Sequence, residues 1–405
     1  MSPVVRQAPC LYSAPMMQVM DQSPPTVGIL GAGQLARMTY QASIPLGIRL
    51  SVLAEHARDP AALIAASVAC GSPHSLESVT AFAAGCDVLT FDHELVDTSI
   101  LHTLEEAGQR VCPTAATVAI AQDKRQQRAL FSQYGFPVPA YRPVHDVGHL
   151  LDFANDFGWP IVVKARRGGY DGRGVWILDG SAAASGLIAR TASAGIELLV
   201  EEWVPIECEI AVLVARRISG EAVVYPVVET VQRNGICHEL LAPARVEAAV
   251  AAEARRLALE VANAVGVIGV MALELFVSDG RLLVNEIAAR PHNSGHYSIE
   301  GCVTSQFEQH LRAVLDWPLG AVDLVAPAVA TVNVLGGSDG FDPAHRLRHA
   351  LALPGIHVHL YGKSPRPGRK LGHVTALDQT VGRARERAAT AAARLGGTAL
   401  VEVPT

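Results

Sequence analysis

Two glutamates flank a predicted β-hairpin in the second half of the chain. In VMALELFVSDGRLLVNEI (270–287), two alternating apolar runs surround Asp279-Gly280, a strong hairpin signal. A two-residue turn would pair Glu274 with Asn285, whereas a three-residue loop over 279–281 would make Glu274 and Glu286 direct cross-strand partners. Facing carboxylates repel each other unless a cation lies between them, and Mg²⁺ combines one or two carboxylates with phosphate oxygens. We predict the three-residue loop and a Mg²⁺·ATP site, with solvated surface glutamates as the alternative.

A glycine-rich segment precedes this hairpin by about a hundred residues. In RRGGYDGRG (166–174), four glycines lie between two β-rich runs, and Lys164 stands on the first run. Glycines let backbone N–H groups approach phosphates closely, and a lysine adds a positive charge. The G-K-[ST] of a Walker A loop is missing. We interpret the segment as a flap that closes over a nucleotide, with a flexible hairpin turn as the alternative.

Three polar segments add candidate ligand contacts. EEWVP (201–205), followed by Glu209, ends a strand in a proline-containing linker and could present backbone groups to an adenine. PHNSGHYS (291–298) follows Arg290, and its donors suit an anionic substrate or a developing anion. GKSPRPGRK (362–370) has four basic residues and could clamp a phosphate. Solvated strand ends or loops remain the alternatives for the first and last of these.

The N-terminal glycine turn resembles a dinucleotide fingerprint. TVGILGAGQLARM (26–38) has the G-x-G-x-x-A spacing, and Glu55 ends the next apolar run. An NAD-dependent oxidoreductase would leave the hairpin carboxylates and the glycine-rich flap unexplained. We therefore interpret Gly33, Gln34 and Leu35 as an anion loop at a helix N-terminus that faces the substrate.

The elements that carry these residues follow a clear order along the chain. Short strands and helices alternate over 26–111, including a helix over 61–66, which predicts a parallel sheet wrapped by helices. A single helix is expected over 117–135, then a strand-rich region with a long amphipathic helix over 246–265. Two strands and an alanine-rich helix follow from about residue 325. The fold class is α/β with several domains: a Rossmann-like domain (25–123), a strand-rich nucleotide-binding domain (124–322) and a small β-rich domain (323–405), after a disordered extension (1–24).

Composition excludes several classes of protein. The net charge is −6 and no basic run stands out, which argues against nucleic-acid binding. No apolar stretch reaches the roughly 18–20 residues that span a bilayer. The seven cysteines are scattered singly and the N-terminus lacks signal-peptide order, so we expect a cytoplasmic protein with reduced thiols.

These motifs, in this order, resemble the ATP-grasp superfamily and within it the 5-(carboxyamino)imidazole ribonucleotide synthase family. The specific strings are GAGQLARM (31–38), GGYDGRG (168–174), ECEI (207–210), NEIAARPHNSGH (285–296) and PGRKLGH (367–373). The resemblance covers nearly everything after the N-terminal extension. Three positions depart from the family: Asp92 stands where glutamate is frequent, Leu95 where asparagine is frequent, and Gln232 where many relatives have histidine.

The resemblance implies a role for each matching position. The metal ligands would be Glu274 and Glu286, for Mg²⁺ or possibly Mn²⁺. The ATP contacts would be Lys124, Lys164, Gly169, Tyr170, Asp171, Gly172, Arg173, Gly174, Val175, Glu201, Glu202, Trp203, Val204, Glu209, Gln232, Asn285 and Glu286. The ribonucleotide contacts would be Gly33, Gln34, Leu35, Glu94, Tyr170, Asp171, Arg173, His292, Asn293, Ser294, Lys363 and Arg369. The catalytic set would be Lys164 and Arg290 for charge neutralisation, with Asp171 and His296 as candidate proton-transfer groups.

The implied reaction is the ATP- and bicarbonate-dependent carboxylation of the amine of 5-aminoimidazole ribonucleotide, giving ADP and phosphate, in purine biosynthesis. Carboxyphosphate would be the intermediate, and the resemblance also implies a homodimer. Another ATP-grasp enzyme remains the alternative, such as a formate-dependent glycinamide ribonucleotide transformylase or a biotin carboxylase. A catalytically inactive nucleotide-binding regulator is less compatible with the intact carboxylates and lysines.

Overall fold

The computed structural model describes residues 23–169 and 172–396 in three sheets. The first is a parallel sheet of order β3-β2-β1-β4. Its elements are β1 (Thr26–Leu30), α1 (Gln34–Ser43), β2 (Arg49–Ala54), β3 (Ser67–Cys70), α2 (Leu76–Ala83), β4 (Val88–Phe91) and α3 (Thr98–Glu106). The parallel order confirms the predicted fold class for this region. The helix predicted over 61–66 is wrong: the segment forms turns, in which the carbonyl of Ala61 accepts from the N–H groups of Ile64 and Ala65 without a helix following.

One predicted helix is two. The segment expected to be a single helix over 117–135 forms α4 (Ala115–Gln122) and α5 (Lys124–Gln133), which meet at Asp123. Asp123 has an extended backbone, and its side chain accepts hydrogen bonds from the N–H groups of Arg125 and Gln126, as an N-cap does. Its buried carboxylate also pairs with Arg166 at 2.6 Å and Arg167 at 3.1 Å. Lys124, the first residue after the break, contacts Glu286.

The second sheet is antiparallel, with order β5-β8-β6-β7. It contains β5 (Tyr141–Val144), α6 (Val147–Phe157), β6 (Ile161–Ala165), β7 (Val175–Leu178), α7 (Ala184–Ser193) and β8 (Leu198–Glu202). Both helices pack apolar side chains against one face of the sheet, among them Phe153 and Leu187. The glycine-rich segment joins β6 to β7, as the sequence predicted.

The third sheet has nine strands, of order β14-β13-β9-β11-β12-β15-β17-β16, with β10 paired to β9. Its strands are β9 (Cys208–Arg216), β10 (Ala222–Val224), β11 (Val228–Arg233), β12 (Ile236–Ala242), β13 (Gly269–Ser278), β14 (Arg281–Ala288), β15 (Ala328–Leu335), β16 (Ile356–Leu360) and β17 (Lys370–Asp378). The helices of this region are α8 (Ala248–Val265), α9 (Ser298–Gly301), α10 (Gln306–Val314), α11 (Leu347–Leu351) and α12 (Val381–Arg394). Pairing of β12 with β15 carries the sheet across the predicted boundary at 322/323.

The helices cover this long sheet at two places. α8 packs Leu257 and Val261 against the β9–β13 region, and α12 presents alanines to β15 and β17. Small side chains let α12 approach the sheet closely. In the described part of the chain, no helix combines the length and apolar character that crossing a membrane requires. The cysteines of the described residues are thiols and not disulfides.

Candidate active site

The two hairpin glutamates are direct cross-strand partners. The turn between β13 and β14 nevertheless has two residues, because Ser278 pairs with Arg281 and both Asp279 (φ 52°) and Gly280 (φ 66°) are left-handed. Those dihedrals belong to the turn type that fits the twist of a tight hairpin. The three-residue loop predicted from the sequence is therefore wrong. A bulge at Asn285 supplies the extra residue that brings Glu286 opposite Glu274.

The carboxylates of this hairpin are partly exposed and lie close to other carboxylates. Burial, together with Glu286 and Glu209, raises the pKa of Glu274 to about 8. Burial and the charge of Glu286 raise the pKa of Glu209 to about 7. Burial would also raise the pKa of Glu286, but the contacting Lys124 ammonium holds it below its usual value. The cluster favours a further cation, which is what the sequence predicted for Glu274 and Glu286.

A buried ion-pair network positions Lys164 beside this hairpin. Neighbouring strands β6 and β8 place Lys164 and Glu201 side by side, with Nζ–Oε2 at 2.6 Å. The other oxygen of Glu201 pairs with Arg128 at 2.7 Å, and Lys164 Nζ donates to Asn285 Oδ1 at 3.1 Å. The Glu201 carboxylate thus points inward and orients Lys164. The adenine contact predicted for the backbone of this strand end stays a prediction.

Two residues of this region escaped the sequence interpretation. Gln127 Oε1 accepts the N–H of Ile287 at 3.1 Å, and Arg128 balances the charge of Glu201. Both follow Lys124 on α5 at spacings of three and four, which place side chains on one helix face. That helical spacing from Lys124 was the sequence signal from which their place at the site could have been predicted.

The residues at the end of β8 and in the linker after it differ in exposure and in the contacts that they make. Glu202 Oε1 accepts the N–H of Ala140 at 2.9 Å, so its side chain braces the neighbouring strand. Trp203 is 47% exposed, whereas Val204 is buried. The following Glu209 stands on β9 opposite Phe276, near the hairpin carboxylates.

The glycine-rich segment meets the β11–β12 turn. Tyr170 and Asp171 lie outside the described residues, but the segment resumes at Gly172 with φ 74°. A Cβ at Gly172 would lie 3.1 Å from the Cα of Gly235, so only glycine allows this approach. Gln232 is half-buried at a bulge in the same strand pair. The other described positions predicted in this segment are Gly169, Arg173, Gly174 and Val175, the last opening β7.

The polar loop after β14 reaches both halves of the site. Arg290 Nε donates to Glu94 Oε2 at 2.6 Å, which joins the loop to the first domain. His292 Nε2 lies 3.8 Å from Glu274 Oε1, and its Nδ1 is 2.9 Å from Ser294 Oγ. Burial, with help from Arg290 and Lys370, lowers the pKa of His292 well below its ordinary value. Asn293 is also buried, and among the described residues its Oδ1 has no partner.

The predicted anion loop at the start of α1 already holds a carboxylate. The N–H of Gly33 donates to Asp92 Oδ2, and a Cβ at Gly31 would lie 2.0 Å from Asp92 Oδ1. Burial raises the pKa of Asp92, although His93, Arg290 and other nearby cations oppose the rise. Leu35 is buried in the adjacent turn. Asp92 thus fills a place that the sequence interpretation assigned to a substrate anion.

The basic C-terminal loop lies beside this helix start. Lys363 Nζ contacts Gln34 Oε1, which brings together residues 329 positions apart. Arg369 NH1 donates to the carbonyl of Ser364 at 3.1 Å, and its side chain is half-buried. Lys370 affects the ionisation of both Glu274 and His292. The nucleotide side and the ribonucleotide side predicted from sequence are therefore contiguous.

His296 is the predicted site residue that the structure places deepest. It is fully buried, its ring stacks on that of His373 at 4.9 Å, and its Nδ1 faces Gln306 Nε2 at 3.2 Å. Its assignment as a general base stays a prediction, and its burial separates it from the exposed part of the loop.

Comparisons with known proteins agree with this arrangement. The chain matches the ribonucleotide synthetase preATP-grasp domain over 25–122, the ATP-grasp domain over 129–307 and the phosphoribosylaminoimidazole carboxylase C-terminal domain over 330–387. It is 48% identical over 373 residues to the N5-carboxyaminoimidazole ribonucleotide synthase of Mycobacterium tuberculosis, covering 91% of this chain and 87% of that protein. The chain belongs to the N5-carboxyaminoimidazole ribonucleotide synthase family. The resemblance and the fold class inferred from the sequence are confirmed.

Solved structures of the N5-carboxyaminoimidazole ribonucleotide synthase family share the fold. The Aspergillus clavatus enzyme in complex with ADP and 5-aminoimidazole ribonucleotide has a TM-score of 0.84 at 32% identity, covering 92% of this chain and 99% of that one. The Thermotoga maritima enzyme has a TM-score of 0.78 at 38% identity, covering 91% and 98%. The domain boundaries at 123/124 and 322/323 stay a prediction, within which all three matched ranges fall.

Proposed function

We propose that this protein carboxylates the amine of 5-aminoimidazole ribonucleotide with ATP and bicarbonate, giving 5-(carboxyamino)imidazole ribonucleotide, ADP and phosphate in purine biosynthesis. The observation that carries the proposal is the 3.8 Å approach of His292 to Glu274. It supports an arrangement in which residues 290–296, which we propose as the anion-binding loop, lie against the carboxylates expected to bind the metal·nucleotide. The solved complex of the Aspergillus clavatus relative with ADP and 5-aminoimidazole ribonucleotide supports the same pair of ligands.

Glu274 and Glu286 fit a divalent cation by their chemistry. Their oxygens are hard ligands of the kind that Mg²⁺ prefers, and the raised pKa of Glu274 reports negative charge that lacks full compensation. Among residues 23–169 and 172–396, no group of three or more His, Cys, Asp or Glu is arranged to hold a metal alone. Phosphate oxygens would complete the shell. When bound, Mg²⁺ would neutralise charge on the phosphates of ATP; Mn²⁺ is a second candidate.

The protein's own residues would act by positioning and charge neutralisation. Bicarbonate attacks the γ-phosphate of ATP, ADP leaves, and the carboxyphosphate formed breaks down to CO₂ and phosphate beside the amine. Lys124 and Lys164 lie on the nucleotide side, and Arg290 with His292 lies on the bicarbonate side. Lys363 and Arg369 would hold the phosphate of the ribonucleotide. Closure of the 168–174 flap would exclude water from the labile acyl phosphate.

Oligomeric state and compartment belong to the same proposal. We expect a homodimer, as the family resemblance implies, and a cytoplasmic location that keeps the described cysteine thiols reduced. Light scattering on the purified full chain tests the first expectation, with twice the 42.8 kDa chain mass as the expected result.

Release of ADP across candidate substrates tests the activity. ADP should form only when 5-aminoimidazole ribonucleotide, bicarbonate, ATP and Mg²⁺ are all present, and the carboxylated product should appear in equal amount. Turnover of glycinamide ribonucleotide with formate would refute the proposal in favour of a transformylase. ATP hydrolysis with no dependence on the ribonucleotide would refute the substrate assignment.

A further inference from the structure

One buried glutamine is hydrogen-bonded to the backbone of the polar loop that follows β14. Gln306, the first residue of α10, accepts the N–H of His292 through Oε1 at 2.9 Å. Its Nε2 donates to the carbonyl of the same residue at 2.7 Å. The side chain is fully buried, and the loop backbone approaches so closely that a Cβ at Gly295 would lie 2.4 Å from Gln306 Oε1. The amide therefore fixes the position of His292 at two points.

This two-point contact determines the orientation of the amide and, through it, the state of His296. An N–H group can be satisfied only by the amide oxygen, and a carbonyl only by the NH₂ group. The NH₂ group then also faces His296 Nδ1 at 3.2 Å, so that nitrogen must be the acceptor. His296 is consequently neutral, with its proton on Nε2.

The surroundings of His296 agree with a neutral ring. Burial is the main cause of a His296 pKa well below the ordinary value. Charge repulsion lowers this pKa further, and it comes from His292 on the same loop, Lys370 on β17, His359 on β16 and Lys363. The stacked ring of His373 covers one side, itself bonded to Tyr361 through Nδ1 at 2.8 Å. The charged groups that act most strongly on the His296 ring are cations or potential cations, which disfavour an imidazolium.

We propose that Gln306 is a positioning residue for the carboxylation: by gripping His292 and holding His296 neutral, it presents Arg290 and His292 to the bicarbonate side of the site. The inference rests on the proposed function and reassigns His296 from a candidate base to a support of the loop. Gln306 itself touches neither the nucleotide-side carboxylates nor, by its burial, the open part of the site.

The same helix offers a matched control. Gln309 is equally buried and also hydrogen-bonds both backbone groups of one residue. Its Nε2 donates to the carbonyl of Gly320 at 2.6 Å, and its Oε1 accepts the N–H of Gly320 at 3.0 Å. That grip holds a segment away from the anion-binding loop. Gln309→Glu therefore reproduces the local chemical change of Gln306→Glu without touching His292 or His296.

The test compares steady-state kinetics of the two variants with the wild type between pH 6 and 8.5. In Gln306→Glu, an oxygen replaces the NH₂ group and faces two acceptors, so the contact forms only after a proton is taken up. We expect kcat/KM for 5-aminoimidazole ribonucleotide to fall about 100-fold at pH 8.5, the size of effect that a displaced positioning group produces. The loss should shrink as the pH falls, and KM for ATP should stay within twofold of the wild-type value. Gln309→Glu should keep the wild-type pH profile.

Two results would overturn the inference: a Gln306→Glu profile parallel to the wild type and within threefold of it, or an equal loss in Gln309→Glu. If Gln306→Glu does not fold, ¹⁵N spectra of histidine-labelled wild type decide, with the His296 signals assigned by their loss in His296→Asn. The expected signature is a neutral ring with the proton on Nε2 from pH 6 to 8, and a proton on Nδ1 contradicts it. A wild type without carboxylase activity refutes the proposed function alone, because the tautomer is read independently.

Discussion

Replacing Glu201 by glutamine removes the carboxylate that bridges two buried cations. The Glu201 side chain is 2% exposed and bonds Lys164 Nζ at 2.6 Å and Arg128 at 2.7 Å. Breaking a buried ion pair by removing one partner costs about 3–5 kcal/mol, because the remaining charge is left uncompensated. We expect Glu201→Gln to lose at least that much free energy of unfolding, since two cations are affected.

The control is an exposed glutamate in the same part of the fold. Glu197 pairs with Arg166 at 2.8 Å, but its side chain is 67% exposed. Solvent screens such pairs, and their contribution is about 0–1 kcal/mol. Urea unfolding followed by circular dichroism compares Glu197→Gln, Glu201→Gln and the wild type. Equal losses in the two variants would refute the assignment of Glu201 as the counter-charge of the network.

The same substitution has a pH signature and a binding signature. Burial alone would raise the pKa of Glu201, but Lys164 and Arg128 hold it below 4.5. A carboxyl with a lowered folded pKa stabilises the protein above its unfolded pKa, and this stability is lost as pH falls through the folded pKa. The variant should lack that acid-side loss. Calorimetry should also show weaker Mg²⁺·ADP binding, because Lys164 loses the partner that orients it toward Asn285; unchanged affinity would contradict this role.

Three further changes test separate parts of the site. His310, whose pKa is lowered to about 3 by burial, must stay neutral in the fold, so stability should fall by up to about 1.4 kcal/mol per unit as pH drops from 6.5 toward 3. Because burial also keeps His292 and His296 neutral, His310→Gln should reduce the pH slope of the free energy of unfolding by up to that amount in urea titrations, and an unchanged slope would contradict this contribution. Glu286→Gln should reduce ADP formation at least 100-fold with an unchanged circular dichroism spectrum, and surviving activity would show that Glu286 does not bind the metal. Gly172→Ala should lower kcat more than Gly135→Ala, because both have positive φ but only Gly172 would clash, at 3.1 Å; equal effects would exclude a role for this close approach.

Much of the site was predictable because its signals are local. The glycine turn at 31–33, the hairpin turn at 279–280 and the polar loop at 290–296 each depend on residue types within a few positions. Period-two alternation was enough to identify β13 and β14. The direct pairing of Glu274 with Glu286 was also predicted, but for the wrong reason.

That error shows where local signals end. The bulge at Asn285 lies in the β13–β14 pair, and β13 also pairs with β9, where Glu274 lies opposite Ala211, 63 residues earlier in the chain. The hydrogen bond from the N–H of Gly33 to the Asp92 carboxylate likewise joins residues that are 59 positions apart. Neither contact leaves a periodic pattern near either residue.

By itself, the sequence determined the α/β class, the family, most of the strands and helices, and the residues that carry charge at the site. Tertiary structure alone decided their partners: Glu201 turned inward to Lys164, Asp92 placed in the anion loop, and His296 held neutral by Gln306. The reason is physical. Turns and strand alternation arise from backbone dihedral preferences and short-range burial, whereas the partner of a buried polar group is whichever group the packed chain brings within hydrogen-bond distance.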